Sequence, residues 1–282
     1  MKTAYLEPSA INWYVNSAYA GDVVATAMAG CGYRPVIGLH TIYELARTFL
    51  GVNGHARGQT LFRFVQALDP AISPGSSALM VDEIRRLRTG TAVLPFLDHL
   101  NQAATRLEIA RLAGGGFDER ARGFIQQREQ EVEKLHPHLM RQYISYVNEL
   151  RSEDPAVVPR LSLFEDAVRL FQRKVPELIS DLVQRQVTDP EAMRLSEQLD
   201  QFPAIRSGVR ANLYLMWICI ANNAVPAFDK LDDYRHVIEA SYSDAFVTED
   251  EQLRRTAPRI HTGLEPVASV TMLSITISAG QR

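Results

Sequence analysis

Residues 230–255, KLDDYRHVIEASYSDAFVTEDEQLRR, decide the fold. They read as helix, tight turn, short strand and a new helix. Asp233 stands where the first helix begins, and Val237, Ala240 and Tyr242 supply its apolar contacts. Ala245-Phe246-Val247 is a brief apolar run of the kind a buried parallel strand gives. The next four residues, Thr248-Glu249-Asp250-Glu251, have the form of a capping box with Thr248 as N-cap and Glu251 three positions on. Asp250 is thereby placed just past the carboxyl end of a strand, the edge of an open α/β sheet where ligands collect.

Outward from that stretch, the N-terminal segment repeats the pattern. Residues 3–6 form a short buried-strand candidate that ends at Glu7-Pro8-Ser9, and residues 10–19 have helical spacing with Ile11, Tyr14, Val15 and Ala18 on one side. A second helical piece covers residues 22–28 and breaks at Gly30 to Gly32. Residues 34–39 read as a second strand, and His40-Thr41 leads into a helix over residues 42–50. Glu44 lies near the start of that helix, where an acid complements the helix dipole or serves a site.

From residue 53 to residue 200 the spacing predicts helices throughout, with breaks at Pro70, Pro74-Gly75, the glycines 114–116, Pro155, Pro159 and Pro190. The segment 118–150 reads as one extended helix carrying Pro137. Ser162-x-x-Glu165 has the form of a capping box, and Asp189-Pro190 puts proline at a helix's first position. Residues 202–223 form a further helix whose centre, residues 213–220, is apolar almost all round and so belongs in the core. Residues 266–277, β-branched and alternating, read as a last strand.

The pattern Asp233, His236, Ala240, Asp244, Val247-Thr248-Glu-Asp250, together with Glu7 after the first strand and ELARTF around Glu44, resembles the PIN domain, a metal-dependent ribonuclease family. The resemblance covers both ends of the chain and none of the middle. It implies an α/β fold with a PIN-like, Rossmannoid parallel sheet, built from residues 1–52 and 201–282 and interrupted by an all-helical insertion at 53–200. It also implies a site in which Glu7, Glu44, Asp233 and Asp250 hold Mg²⁺ or Mn²⁺ for hydrolysis of RNA, with Ser9, His236, Thr248 and Arg254 near the substrate. The family usually has Asp where this chain has Glu7, which projects the carboxylate one methylene further. A PIN-fold protein impaired in catalysis, acting as an RNA-binding or scaffolding module, is the alternative, and a small-molecule phosphoesterase is a second. An antitoxin-like partner and a homodimer are further expectations of the resemblance.

The chemistry behind that expectation is electrostatic. Two carboxylates about 4 Å apart repel by roughly 4 kcal/mol at an effective dielectric near 20, so a cluster of four must take up protons or bind cations. All-oxygen sets suit Mg²⁺ and Mn²⁺.

Bulk properties set outer bounds. The 282 residues can bury a large core, and a net charge of -3 argues against coating nucleic acid through bulk charge. Two cysteines far apart in sequence, Cys31 and Cys219, make neither a disulfide framework nor a zinc site. With no membrane-length apolar run and no signal-peptide core at the N-terminus, a cytoplasmic location is expected. No Walker sequence, no G-x-S-x-G elbow and no paired Asp-x-Asp after the first strand is present, which disfavours NTPases, serine hydrolases and haloacid-dehalogenase-type phosphatases, and Gly30-x-Gly32 is not a dinucleotide fingerprint.

Overall fold

The structure, a computed structural model, describes residues 1–153, 163–222 and 229–272. Five parallel strands form one sheet: β1 (Lys2–Leu6), β2 (Tyr33–Gly38), β3 (Ala71–Ser73), β4 (Ala245–Val247) and β5 (Glu265–Val267), in the spatial order β3-β2-β1-β4-β5. Tyr5 lies opposite Val36 on one side and Phe246 on the other, so the N-terminal strand is the centre of the sheet. This is a doubly wound α/β arrangement, compatible with a Rossmann-like fold. The chain builds outward from β1 through β2 to β3, then returns to the other edge of β1, which makes the carboxyl ends of β1 and β4 a topological switch point.

Alternation along the strands sends side chains to two separate cores. Tyr5, Val36, Ala71 and Phe246 face one, while Ala4, Leu6, Ile37, Ile72, Ala245 and Val247 face the other. The second core is covered by α1 (Pro8–Asn16), α2 (Gly21–Gly30) and α4 (Gly54–Leu68), with α3 (Leu39–Arg47) following β2 directly. On the first face lie α5 (Ser76–Thr89) and the long α11 (Pro203–Asn222). Between them run α6 (His99–Ala113), α7 (Glu119–Glu153), α8 (Phe164–Leu170), α9 (Val175–Leu182) and α10 (Asp189–Glu197). Beyond α11, α12 (Asp229–Glu239) precedes β4 and α13 (Glu251–Ile260) follows it. Leu213, Leu215 and Ile220 of α11 are buried, as their all-round apolar pattern requires. Among the described residues no helix is long and apolar enough to cross a membrane.

The structure departs from the sequence expectations in four places. The stretch 53–200 is not all helix: β3 lies within it and pairs with β2, so α4, β3 and α5 complete one half of the sheet. Three buried residues between Pro70 and Pro74 are too few to show a period, which hides such a strand. The last strand is shorter than residues 266–277 suggest; β5 ends at Val267 and residues 269–272 are helical. Positions 273–277 of that expectation, and Ser162 of the expected capping box, lie outside the described residues. Asp233 is not at a helix start, because α12 already includes Asp229. Finally, the N-cap of α13 is Asp250, whose side chain accepts from the Leu253 amide at 2.7 Å, and not Thr248.

Candidate metal centre

Two helices meet over the carboxyl edge of the sheet and each presents a pair of residues four apart, the spacing that puts side chains on one helix face. From α3 come His40 and Glu44; from α12 come Asp232 and His236. Gly38 ends β2 and is the N-cap of α3, which is why His40 stands directly at the strand's end.

Glu44 is the link between the pairs. Its Oε1 lies 3.3 Å from His40 Nε2 and its Oε2 lies 3.3 Å from His236 Nε2. The two imidazole rings are 4.7 Å apart between centroids. Both Nε2 atoms are buried, and neither has a well-formed hydrogen bond among the described residues. Ligand atoms from His40, Glu44 and His236 all fall within 4.8 Å of one another. Two ligands each about 2.1 Å from one ion and separated by a near-tetrahedral angle stand about 3.4 Å apart, so the observed spacing fits a shared cation.

The hydrogen bonds behind the ligands strengthen that fit. Tyr5 Oη donates to Glu239 Oε2 at 3.0 Å. With Glu239 ionised the phenol's single proton is committed to it, which leaves His236 Nδ1, 2.9 Å away, to donate to Tyr5 Oη. A neutral His236 would therefore aim the Nε2 lone pair at the Glu44 carboxylate, lone pair against lone pair. Only a cation between them relieves this, either a proton on Nε2 or a metal ion. Without a metal the proton serves. Burial opposes the charge on His236, but Glu44, then Glu7 and Glu239, push it up to about 9. Burial would also raise Glu44, yet the imidazoles of His236 and His40 outweigh it and hold that carboxyl well below its usual range. His40 is lowered by burial and by the charge on its neighbour His236, against the pull of Glu44.

Asp232 completes the rim. It is buried, with Oδ1 3.7 Å from His40 Nε2 and 2.8 Å from Arg235 Nη1. Glu239, one turn below, is fully enclosed; desolvation pushes it up to about 7 against the pull of His236 and the hydrogen bonds from Tyr5 and the His40 amide. There is no room for a side chain at Gly38, where a Cβ would land on Glu239 Oε2 and 2.5 Å from Tyr5 Oη.

The residues expected from sequence are distributed as follows. Glu44 is at the centre of the cluster, and His236 belongs to the same group. Glu7 is buried at the end of β1, near enough for its charge to act on His236. Its Oε2, however, accepts from the Ser9 amide (2.9 Å), the Ser9 hydroxyl and Thr248 Oγ1 (3.0 Å), so it caps α1 and ties β1 to β4 at the switch point. Burial raises the Glu7 carboxyl, and His236 and these hydrogen bonds work against the rise. Ser9 also receives the Glu249 amide at 2.9 Å, and Thr248 receives that of Asp250 at 3.1 Å. Asp233 bonds Lys230 Nζ at 2.9 Å, and it is Asp232, one residue earlier, that approaches His40. Asp250 is engaged at the start of α13, and no described interaction brings Arg254 to the cluster. Among the described residues, the group whose ligand atoms lie within 4.8 Å of one another is two imidazoles and one carboxylate, and of the four expected acids it includes Glu44.

Sequence reasoning missed His40 and placed the acid of this helix at Asp233 rather than Asp232. The signal was present as two pairs four apart, His40 with Glu44 and Asp232 with His236, on helices that flank a predicted sheet edge. The chain matches no protein-family model, no curated protein and no solved structure.

Proposed function

We propose that this chain is a divalent-metal-dependent hydrolase of RNA phosphodiester bonds, working at the carboxyl edge of a PIN-like sheet. The observation that carries the reading is the convergence of His40, Glu44 and His236 on one point, with two buried Nε2 atoms that have no well-formed hydrogen bond among the described residues. Two nitrogens and one oxygen favour Mn²⁺ or Zn²⁺ over Mg²⁺, which prefers oxygen ligands and retains its water. Such an ion supplies a water of lowered pKa and polarises a phosphate oxygen.

The chain's own groups supply the rest. His40, Glu44 and His236 form the ligand face, and Tyr5 fixes the His236 ring through Nδ1. Asp232, beside His40 and steadied by Arg235, is placed to accept one proton from the attacking water. In the balanced step the water oxygen forms a new bond to phosphorus and the bond to one ribose oxygen breaks. That oxygen leaves with a proton from solvent.

Titration with Mn²⁺ and with Zn²⁺, followed by assay of RNA cleavage, tests the reading. Wild type should bind and cleave, while Glu44→Gln and His236→Ala should lose both. Failure of the wild-type protein to bind either ion would end the proposal. A second reading, an RNA-binding module without catalysis, draws on Glu7, whose carboxylate is occupied by Ser9 and Thr248. It is recognised by RNA binding without cleavage when metal is present.

A further inference from the structure

Beside the cluster lies a cleft of ≈ 920 Å³, bounded by α3, the start of α5, the end of α6 and the first turns of α7, with His40 at its inner wall. That size falls in the range of sites for one small organic ligand, about 300–1,000 Å³. Its lining is mainly apolar but carries guanidinium groups from α6, α7 and α12. Arg111 is paired with Glu108 and Asp118, and Arg235 with Asp232. Arg120 has no ion pair among the described residues.

The aromatic side chains divide the same way. Phe117 is already stacked on Phe49, with centroids 4.6 Å apart and planes 6° from parallel, and the Arg122 guanidinium lies over its ring. Phe124 is 67% exposed on the cleft wall. An open aromatic face, a guanidinium without an ion pair among the described residues, and His40 of the cluster therefore share one chamber. Stacking surfaces combined with cationic side chains are the means by which proteins hold nucleobases joined to phosphate.

We propose that this cleft binds a single nucleoside phosphate, its base against Phe124 and its phosphate between Arg120 and the His40 end. This rests on the phosphodiester reading and deepens it, since a chamber for one nucleotide takes the end of a strand, or a free nucleotide, in preference to the middle of a chain.

Calorimetric titration of the whole protein with adenosine 5′-monophosphate, without added metal, tests it. Binding should weaken about tenfold in Arg120→Ala, the loss of one charge-assisted hydrogen bond. It should weaken about tenfold in Phe124→Ala, the loss of one stacking surface. Ribose 5-phosphate should bind with no dependence on Phe124. Both side chains are exposed, so folding is not at stake. Absence of binding, or binding unchanged by both substitutions, overturns the proposal. Competition by a short 5′-phosphorylated ribo-oligomer identifies a strand end as the source of the group, and failure to compete identifies the free nucleotide. Thermal shift with Mn²⁺ separates the two readings: nucleotide binding without a metal response retains the cleft and removes the hydrolase, and the reverse pair of results does the opposite.

Discussion

His236 Nε2 stands 3.3 Å from Glu44 Oε2 although the two residues are on separate helices and lie almost two hundred positions apart in the chain. The contact is closed from behind by Tyr5, which fixes the other ring nitrogen at 2.9 Å. An imidazole so restrained is positioned at Nε2 to share a proton or a metal ion with Glu44.

Metal should stabilise the fold through this contact. At a free concentration 100 times the dissociation constant, a ligand that binds only the native state adds about 2.7 kcal/mol. Melting followed with and without Mn²⁺ or Zn²⁺ should show a rise for wild type and none for His236→Ala or Glu44→Gln. A rise that persists in both variants places the ion elsewhere.

Tyr5→Phe removes the partner of His236 Nδ1 while leaving the ring stack on Phe246, where centroids are 5.7 Å apart. Loss of such an outer partner typically costs 10–100-fold in metal affinity. Calorimetry should show that drop together with a retained fold by circular dichroism; unchanged affinity would mean that the ring is held by packing alone.

Asp232 and Asp233 are neighbours with opposite expectations. Asp232→Asn should lower the rate of RNA cleavage by about 10²-fold or more, the scale of a lost general base, with little change in KM. Asp233→Asn weakens a part-buried pair with Lys230 and should leave the rate of RNA cleavage unchanged. The reverse ranking would restore Asp233 to the site.

Gly38→Ala forces a methyl group onto Glu239 and should destabilise the protein by about 1–3 kcal/mol, measured by urea unfolding. Combining it with Glu239→Ala removes the nearer of two clashes, leaving Tyr5 Oη 2.5 Å from the new methyl group, so the double variant should lose less than the sum of the two single changes. Additive losses would assign the cost to Tyr5 or to the backbone at Gly38, and not to the contact with Glu239.

His261 gives the protein an acid-side weakness away from the metal centre. Burial, with Arg206 and Arg210 close by, lowers it to about 4, and Ser207 Oγ lies 2.9 Å from its Nδ1. The unfolded chain takes up this proton near pH 6.5 and the native state only near pH 4. Stability from this residue is therefore full above pH 6.5 and falls as pH drops towards 4. Urea unfolding at pH 5 against pH 7 should show a loss of about 1–2 kcal/mol that His261→Gln reduces. An equal loss in the variant would assign the effect to other groups.

The central features of the sheet were legible because their signals are local. Three of the five strands, β1, β2 and β4, announced themselves as short runs, and β4 lies where Ala245-Phe246-Val247 suggested. What escaped were features fixed by rotation around a helix and by packing. One residue of slippage on α12 turns a side chain by about 100°, enough to replace Asp233 with Asp232. Thr248 looked like a helix cap because of its spacing to Glu251, but Glu7 across the switch point claimed its hydroxyl. Such competition between a local and a distant partner has no trace in a linear reading. His40 was overlooked because its partner His236 comes from the far end of the chain.

The placement of β1 between β2 and β4 has a cost during synthesis. β1, β2 and β3 are complete by Ser73, yet the strand that covers the open edge of β1 begins only at Ala245. At 5–20 residues per second the ribosome needs roughly 10–30 s to cover that gap. Throughout it the nascent chain displays a hydrophobic ribbon with unpaired amides, the template on which other chains aggregate. The helices made in the interval emerge before the edge can be sealed, so their early docking, or a chaperone, must shield that ribbon until the last part of the protein arrives.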